Sequence, residues 1–348
     1  MVGVAAGASR SPRERWVIET MESRAGALDD LEAASADALG WAAVERHAAS
    51  LLRHSATWIE MRGLQGARPE MDQHQRLLRA TLERARRRLA TFDPDEVDDA
   101  RRRLGVRLAI MGKGGAGKTV ISSTLARLFG RRGRNVLAFD LDANPGLAIS
   151  LGLPPTEAGL PREALVEAEG AAYGWRLAPG ITPPEVVDRY SIRGPDNVHF
   201  LGKGKIGAVD RGHTRESLVA LLHVLLNFTD PEWHVVADME AGPTTPFERY
   251  HAFSEDVIVV VGPAWRSAMT VRRLLPMVGD RRTTIVANRF RDEPDHPGLA
   301  PAVRIPFDPA VAEAERQGLS PLDACPDSPT IAAIARLAEQ FLDQEVRT

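Results

Sequence analysis

Residues 108–119 read LAIMGKGGAGKT, and this stretch decides the fold. An apolar run ends at Gly112, and Lys118 and Thr119 then open a segment with helical spacing. The pattern G-x-x-x-x-G-K-[ST] between a strand and a helix is a phosphate-binding loop, because its backbone N–H groups and the helix N-terminus face phosphate oxygens. We expect Lys118 to reach the β- and γ-phosphates and Thr119 to ligate Mg²⁺. The residues predicted to hold the nucleotide here are Gly112, Gly114, Gly115, Ala116, Gly117, Lys118, Thr119 and Val120.

Short apolar runs alternate with helical patterns from residue 105 onward. Runs that are apolar throughout fit strands buried on both faces of a parallel sheet. The alternation predicts an α/β fold of the P-loop NTPase type, with a doubly wound, mostly parallel sheet that binds ligand at the carboxyl ends of its strands. The predicted strands are 106–111, 136–140, 198–201, 234–238, 257–261, 284–288 and 302–306, and the predicted helices are 118–131, 215–228, 267–277, 309–317 and 330–344.

The first 104 residues have a different pattern. Apolar residues recur at helical spacing, as at Leu28, Leu31 and Leu39, and residues 1–104 contain no strand-like run of β-branched residues. We predict two or three amphipathic helices and then a short helix over 94–103, whose acids come first and whose arginines come last, as the helix dipole favours. The chain is therefore divided into an all-helical region, 1–104, as a candidate partner-binding module, and an ATPase domain, 105–348.

Composition limits the partners and the location. The chain of 348 residues has 44 basic against 47 acidic side chains and a net charge of −3, and this near-neutral balance argues against duplex DNA or anionic membrane as the main partner. No window approaches the roughly 18 uninterrupted apolar residues of a membrane span. Cys325 is the single cysteine, which excludes an intrachain disulfide and a multi-cysteine metal site. We expect a cytoplasmic protein without membrane insertion, for which DNA is a poor partner.

Lysine is rare in this chain. The four lysines are Lys113, Lys118, Lys203 and Lys205, and all other basic residues are arginines. Where arginine is used so freely, a remaining lysine indicates a need for the compact ammonium group. Two of the four lie in the phosphate loop, and the pattern assigns no chemistry to the other two.

Two further predicted strands end in acidic residues. Asp238 ends an apolar strand, which is the Walker B arrangement, in which the carboxylate holds Mg²⁺ through water. Asp140 and Asp142 follow another strand and precede Pro145. An aspartate at the end of a strand can either serve the nucleotide site or cap the following turn, so both interpretations remain open for this pair.

The segment KGGAGKT at 113–119 resembles the deviant Walker A motif, KGGxGK[ST], of the MinD/ParA/nitrogenase-iron-protein group of SIMIBI ATPases. The resemblance implies that ATP joins two identical subunits face to face, with Lys113 reaching the partner's nucleotide. It also implies that Asp142 orients the attacking water and that Asp140 lies near the metal. The implied catalytic residues are Lys113, Lys118 and Asp142, and the implied metal-site residues are Thr119, Asp140 and Asp238.

The string DMEAG at 238–242 resembles CooC-type ATPases, which mature nickel-containing carbon monoxide dehydrogenase, and the likeness extends over about 106–342. It implies that Glu240 and Gly242 form a second switch that reads the γ-phosphate. It also implies an adenine side built from Asn288, Pro306 and Asp308, where an amide offers adenine both a donor and an acceptor.

The chain departs from the CooC pattern at one point. CooC-type proteins carry a metal-binding C-x-C pair just before the helix predicted at 215–228, whereas residues 211–217 of this chain read RGHTRES. A single histidine per subunit supplies too few ligands for a soft or borderline metal. We therefore interpret His213 as a residue at the start of the helix.

Together these features predict a slow, partner-stimulated ATPase that uses ATP and Mg²⁺ and acts as a homodimeric switch on a client protein. One alternative is a ParA- or MinD-like positioning ATPase acting on DNA or membrane, for which the arginines at 84–88 are the main argument. Another is a metallochaperone-type accessory ATPase with a metal site that lacks cysteine. The sequence does not name the client.

Overall fold

The computed structural model describes residues 11–59, 64–142, 146–156, 159–168, 175–204, 211–242 and 250–344. Its N-terminal part consists of helices, as predicted: α1 Pro12–Ala34, α2 Ala38–Ile59, α3 Arg68–Leu89 and α4 Pro94–Arg103. Their apolar faces bury Leu28, Trp41 and Leu78 in a core of their own. The short helix α4 has the predicted bounds, and Asp93 caps it by accepting the Asp95 N–H at 2.9 Å.

The strands of the second part are β1 Arg107–Gly112, β2 Val136–Asp140, β3 Leu165–Glu167, β4 Trp175–Leu177, β5 Ile192–Arg193, β6 Val198–Gly202, β7 His234–Asp238, β8 Asp256–Val261, β9 Arg282–Phe290 and β10 Val303–Pro306. Eight of them form one sheet in the order β10-β9-β8-β1-β7-β2-β6-β5. All neighbours in it are parallel except β5 and β6. The predicted doubly wound α/β fold is confirmed, and all seven predicted strands are present within two residues at either end.

Helices lie on both faces of this sheet and bury its apolar side chains in two layers. They are α5 Lys118–Arg131, α6 Leu147–Ser150, α7 Pro183–Tyr190, α8 Arg211–Asn227, α9 Trp265–Leu274, α10 Pro309–Arg316, α11 Pro321–Ala324 and α12 Pro329–Gln344. Within the described ranges, no helix is long and apolar enough to cross a membrane.

Two predicted helix bounds were wrong. Helix α8 begins at Arg211 rather than at residue 215. The sequence did not indicate its first turn, because that turn is polar and shows no apolar periodicity. His213 therefore lies inside the helix, although its side chain is outside the described residues. Helix α9 ends at Leu274, and a 3₁₀ turn continues to Met277, because Pro276 has no N–H with which to extend an α-helix.

The helical part joins the sheet at Gly105. Its N–H donates to the Pro231 carbonyl at 2.7 Å, and a Cβ atom at this position would lie 2.1 Å from the Trp233 carbonyl oxygen. Two ion pairs reinforce the junction, Arg103 with Glu232 at 3.0 Å and Arg46 with Glu255 at 3.2 Å. The backbone of the linker thus packs directly on the sheet domain.

Candidate functional site

The loop between β1 and α5 curls because three glycines adopt conformations that other residues avoid. The φ angles of Gly112, Gly115 and Gly117 are 155°, 79° and 88°. A Cβ on Gly117 would lie 2.2 Å from Asn288 Nδ2, and one on Gly112 would lie 2.6 Å from the Val260 carbonyl oxygen. Only glycine permits both the angles and the close approach. The predicted phosphate loop thus has the backbone that its motif requires.

Lys118, Thr119 and Asp238 meet where β1 and β7 end. The Thr119 hydroxyl donates to Asp238 Oδ2 at 2.6 Å, and Lys118 is buried beside them. Burial and the charge of neighbouring Asp140 raise the pKa of Asp238 above its usual value, although the Lys118 ammonium lowers it. The buried carboxylates of Asp140 and Asp238 lie in one site, which therefore favours binding of a cation.

These groups fit a magnesium ion. Asp238 Oδ1 is buried and has no hydrogen-bond partner among the residues that the structure describes. A carboxylate and a hydroxyl are hard oxygen donors, and Mg²⁺ in nucleotide sites takes one or two such protein ligands while keeping several waters. Thr119 and Asp238 are the side chains that would hold it, and this assignment stays a prediction.

Asp140 faces Asp238 in register across β2 and β7. Its Oδ2 accepts the N–H groups of Gly146 and Leu147, both at 3.0 Å, and its Oδ1 accepts the Asp142 N–H at 3.1 Å. The carboxylate thus holds the backbone of Asp142 and the start of α6, which is the capping interpretation that the sequence left open. Its place near the metal stays a prediction.

The predicted water-orienting residue, Asp142, is half-buried at the carboxyl end of β2, on the same side as the phosphate loop. Its role stays a prediction, and Pro145 lies outside the described residues. Lys113 is half-exposed, and its ammonium lies 3.4 Å from the Gly114 carbonyl of its own loop. Its predicted role across a dimer stays a prediction.

The segment predicted to form the second switch, Glu240 and Gly242, lies beside the loop, and Lys203, a lysine without assigned chemistry, contacts it. The Gly242 N–H donates to the Gly112 carbonyl at 3.2 Å. Lys203, which is only 5% exposed, places its ammonium 3.5 Å from Glu240 Oε2. Sequence reasoning missed this ion pair, and the rarity of lysine was the one available signal. Lys205 lies outside the described residues.

The predicted adenine side forms a narrow cleft that Asn288, Pro306 and Asp308 line together with Val120. Asn288 Nδ2 donates to the Ala116 carbonyl at 2.7 Å, so this amide supports the phosphate loop directly. Asp308 caps α10 by accepting the Ala310 N–H at 2.8 Å and also accepts the Ser328 hydroxyl. The structure therefore brings these residues together, with Asp308 held in structural contacts.

Arg289 is a further site residue that sequence reasoning missed. It has a left-handed φ of 64° at a register shift between β9 and β10. The bulge turns its guanidinium toward the loop, where Nη1 donates to the Gly115 carbonyl at 3.2 Å and Nη2 pairs with Glu315 at 2.6 Å. The bulge arises from long-range strand pairing, so local sequence could not reveal it.

A transition-metal site is not evident in the part of the chain that the structure describes. No group of three or more His, Cys, Asp or Glu side chains there could hold a metal ion. Cys325 is a free cysteine whose thiol donates to the Pro321 carbonyl.

Comparison with known proteins gives the following likenesses. The CobQ/CobB/MinD/ParA nucleotide binding domain matches residues 108–322. An uncharacterized ATP-binding protein of Methanocaldococcus jannaschii is 28% identical over 234 residues, which cover 61% of this chain and 90% of that protein. The carbon monoxide dehydrogenase accessory protein CooC of Rhodospirillum rubrum is 29% identical over 251 residues, covering 64% of this chain and 91% of that protein.

Solved structures show the same fold. The cell division ATPase MinD of Pyrococcus furiosus superposes with a TM-score of 0.52 at 24% identity, covering 69% of this chain and all of that one. A ParA family ATPase of Chlorobium tepidum gives a TM-score of 0.53 at 17% identity, covering 69% of this chain and 99% of that one. The shared part is thus about two-thirds of this chain.

Proposed function

The chain belongs to the family of the CobQ/CobB/MinD/ParA nucleotide binding domain, and from that premise we propose that it is a slow ATPase that works as a homodimeric switch in the cytoplasm. The observation that carries the proposal is the Thr119–Asp238 hydrogen bond beside the buried Lys118, with the second Asp238 oxygen unpartnered among the described residues. This arrangement is what a triphosphate with its magnesium ion needs.

The proposed chemistry relies mainly on charge and positioning. The loop N–H groups and Lys118 hold the β- and γ-phosphates, and Asp142 orients the attacking water. Glu240 and Gly242 report the γ-phosphate through the Gly242–Gly112 contact. Magnesium, when bound, neutralises charge that develops on the phosphate oxygens.

Dimerisation is proposed from Lys113. Its side chain is half-exposed and contacts only the carbonyl of Gly114 among the hydrogen bonds of the described residues. A lysine of this kind supplies charge to a partner's γ-phosphate only when two subunits close, so that hydrolysis and association depend on each other.

The helical region, 1–104, is the proposed partner-binding module. Arg24 of α1 donates to the Ala252 carbonyl at 3.4 Å, and Arg46 of α2 pairs with Glu255. Both contacts fall just before β8, in the stretch of chain that follows the second switch. These contacts attach the helical region to the sheet domain at the start of β8.

The described contacts support a protein client over DNA. Arg84 pairs with Glu32 at 2.8 Å, Arg86 with Glu45 at 3.1 Å, and Arg88 lies over the Trp41 ring. These arginines thus stabilise the helical region itself. The R. rubrum relative is an accessory protein of carbon monoxide dehydrogenase, but this chain lacks the C-x-C pair, so we propose the same nucleotide machinery with a different client.

Phosphate release in Mg²⁺ tests the activity. The full chain should hydrolyse ATP slowly, Lys118→Ala should abolish hydrolysis, and Asp142→Ala should bind ATP without hydrolysing it. Arg189→Gln, in an exposed ion pair on α7, is the matched control and should behave as wild type. Absence of both ATP binding and hydrolysis in the unmodified chain would overturn the proposal.

A further inference from the structure

A large cavity lies at the edge of the sheet opposite the phosphate loop. Its volume is about 550 Å³, within the range of roughly 300–1,000 Å³ typical of small-molecule sites. Val106, Asp256 and Arg282 line it where β1, β8 and β9 begin, and α2, α3 and α4 close it from the helical side. The six residues of β1, about 20 Å in length, separate it from the nucleotide site.

Arginine dominates the lining. Six arginines line the cavity against four acids, an excess of two positive charges. Arg86 Nε and Arg101 Nη2 approach one carboxylate, that of Glu45, at 3.1 and 3.0 Å. One carboxylate cannot neutralise two guanidinium groups, so this corner keeps a net positive charge.

Arg46 adds a donor that the described residues leave unused. Its side chain is 13% exposed, its Nη1 donates to the Gly105 carbonyl at 2.8 Å, and its Nε lies 3.2 Å from Glu255 Oε1. Its Nη2 is buried without a hydrogen-bond partner among the described residues. A buried donor of this kind is costly until an acceptor reaches it.

We propose that this cavity binds a small molecule bearing a phosphate or diphosphate group, held by Arg46, Arg86 and Arg101. Planar guanidinium groups match phosphate oxygens in pairs, and three from different helices can surround one group. The apolar side chains of Leu104 and Phe341 in the same lining suit an organic body attached to it. The site is separate from ATP binding, and its occupant would bridge the helical region and the sheet domain.

Titration calorimetry of the full chain carrying Lys118→Ala tests the proposal, because that change weakens phosphate binding at the loop. The probes are inorganic phosphate, inorganic pyrophosphate and fructose 1,6-bisphosphate, which distinguish a free anion from a phosphorylated organic molecule. Pyrophosphate should bind, and the added pair Arg86→Gln and Arg101→Gln should weaken it at least tenfold. Both arginines are partly exposed, so the variant should fold, which thermal unfolding checks.

Glu45→Gln should have the opposite effect. Removing the carboxylate that both arginines share should tighten pyrophosphate binding several-fold, whereas the distant Arg189→Gln should leave it unchanged. Opposite shifts from the two cavity variants would support the site. Absence of binding at millimolar pyrophosphate, or equal affinity in all variants, would overturn it.

Discussion

At the scale of single residues, the Thr119 hydroxyl and the Asp238 carboxylate carry most of the functional argument. They touch at 2.6 Å on two elements that are far apart in sequence, and the adjacent Asp140 adds a second buried acid. The Lys118 ammonium balances only one of these two buried carboxylates, so the site favours a further cation. We therefore expect these side chains to be more favourable with Mg²⁺ bound than in the empty protein.

Asp238→Asn tests that idea. The amide keeps the shape and a contact to Thr119 but loses the charge that attracts Mg²⁺. We expect Mg²⁺ with ADP to raise the unfolding temperature of the wild type by several degrees and that of the variant much less, with ATP hydrolysis reduced at least 100-fold. Differential scanning fluorimetry with and without Mg²⁺ measures the first effect. An equal magnesium-dependent rise in both proteins would contradict the assignment.

His234 sets a pH dependence of stability. It accepts the Val106 N–H at 2.7 Å, and burial, followed by the charges of Arg134 and Arg46, lowers its pKa to about 3. The folded state then binds fewer protons than the unfolded state between the ordinary pKa of 6.5 and about 3. Its stabilising contribution is thus complete above pH 6.5 and is lost as the pH falls toward 3.

His234→Asn should flatten this dependence, since an Asn oxygen can accept the same N–H but does not titrate. Between pH 6 and pH 4 we expect the free energy of unfolding of the wild type to fall faster than that of the variant, by at most about 1.4 kcal/mol per pH unit. Urea unfolding at several pH values measures both slopes. His296→Asn, at a half-buried ring, is the control, and parallel slopes for His234→Asn and wild type would contradict the prediction.

At the scale of elements, helix α5 is fixed to its surroundings by one buried arginine. Arg127 is 4% exposed and pairs with Asp196 at 2.7 Å, with Asp323, and with the Ser320 hydroxyl at 3.1 Å. These contacts join α5 to the turn before β6 and to α11. Because Arg127 lies in the third turn of α5, they fix the body of the helix and not the phosphate loop at its start.

Arg127→Met should lower the free energy of unfolding by about 2 kcal/mol, because it removes buried, charged hydrogen bonds and leaves Asp196 and Asp323 only the more exposed Arg131. ATP affinity should change by less than about threefold, since the side chain lies in the third turn of α5, away from the loop. Arg131→Gln is a matched control: Arg131 also contacts Asp196, at 3.1 Å, but is 42% exposed, so the cost should stay below about 0.5 kcal/mol. Equal losses in the two variants would contradict this role.

The sequence predicted the elements better than the contacts between them. Apolar runs and the phosphate-loop motif were sufficient for the main strands and for α5, because both signals are local. Strand β5 and the hairpin of β3 and β4 were not predicted, since runs of two or three residues show no periodicity. The contacts of Lys203 and Arg289 were not predicted for another reason. Lys203 forms a buried ion pair and Arg289 lies in a bulge, and only the folded sheet creates either feature.

At the scale of the whole molecule, the chain offers two separated regions for control. The predicted nucleotide site lies at the carboxyl ends of the strands, and the arginine-lined cavity lies at their amino ends, against the helical region. Lys113 stands outside this scheme, because its proposed role requires a second copy of the chain. An experiment can distinguish an action of Lys113 on the partner's nucleotide from an action on the nucleotide of its own subunit.

Mixing two inactive variants makes the distinction. Lys113→Ala should bind ATP nearly as well as wild type but neither dimerise with ATP nor hydrolyse it, and Lys118→Ala should bind ATP poorly. In a mixed dimer, one site combines an intact Lys118 with the partner's intact Lys113. Phosphate release should therefore recover to up to about half of the wild-type rate in an equimolar mixture, because neither variant pairs with itself and each mixed dimer has one complete site of two.

Light scattering with ATP checks association of the same samples. The Arg189→Gln chain, mixed with either variant, controls for simple dilution of activity. If Lys113 acted on the nucleotide of its own subunit, neither site of a mixed dimer would be complete, and the mixture would stay inactive. Recovery thus requires that the lysine cross the interface, and its absence at concentrations where light scattering detects mixed dimers would refute the proposed homodimeric switch.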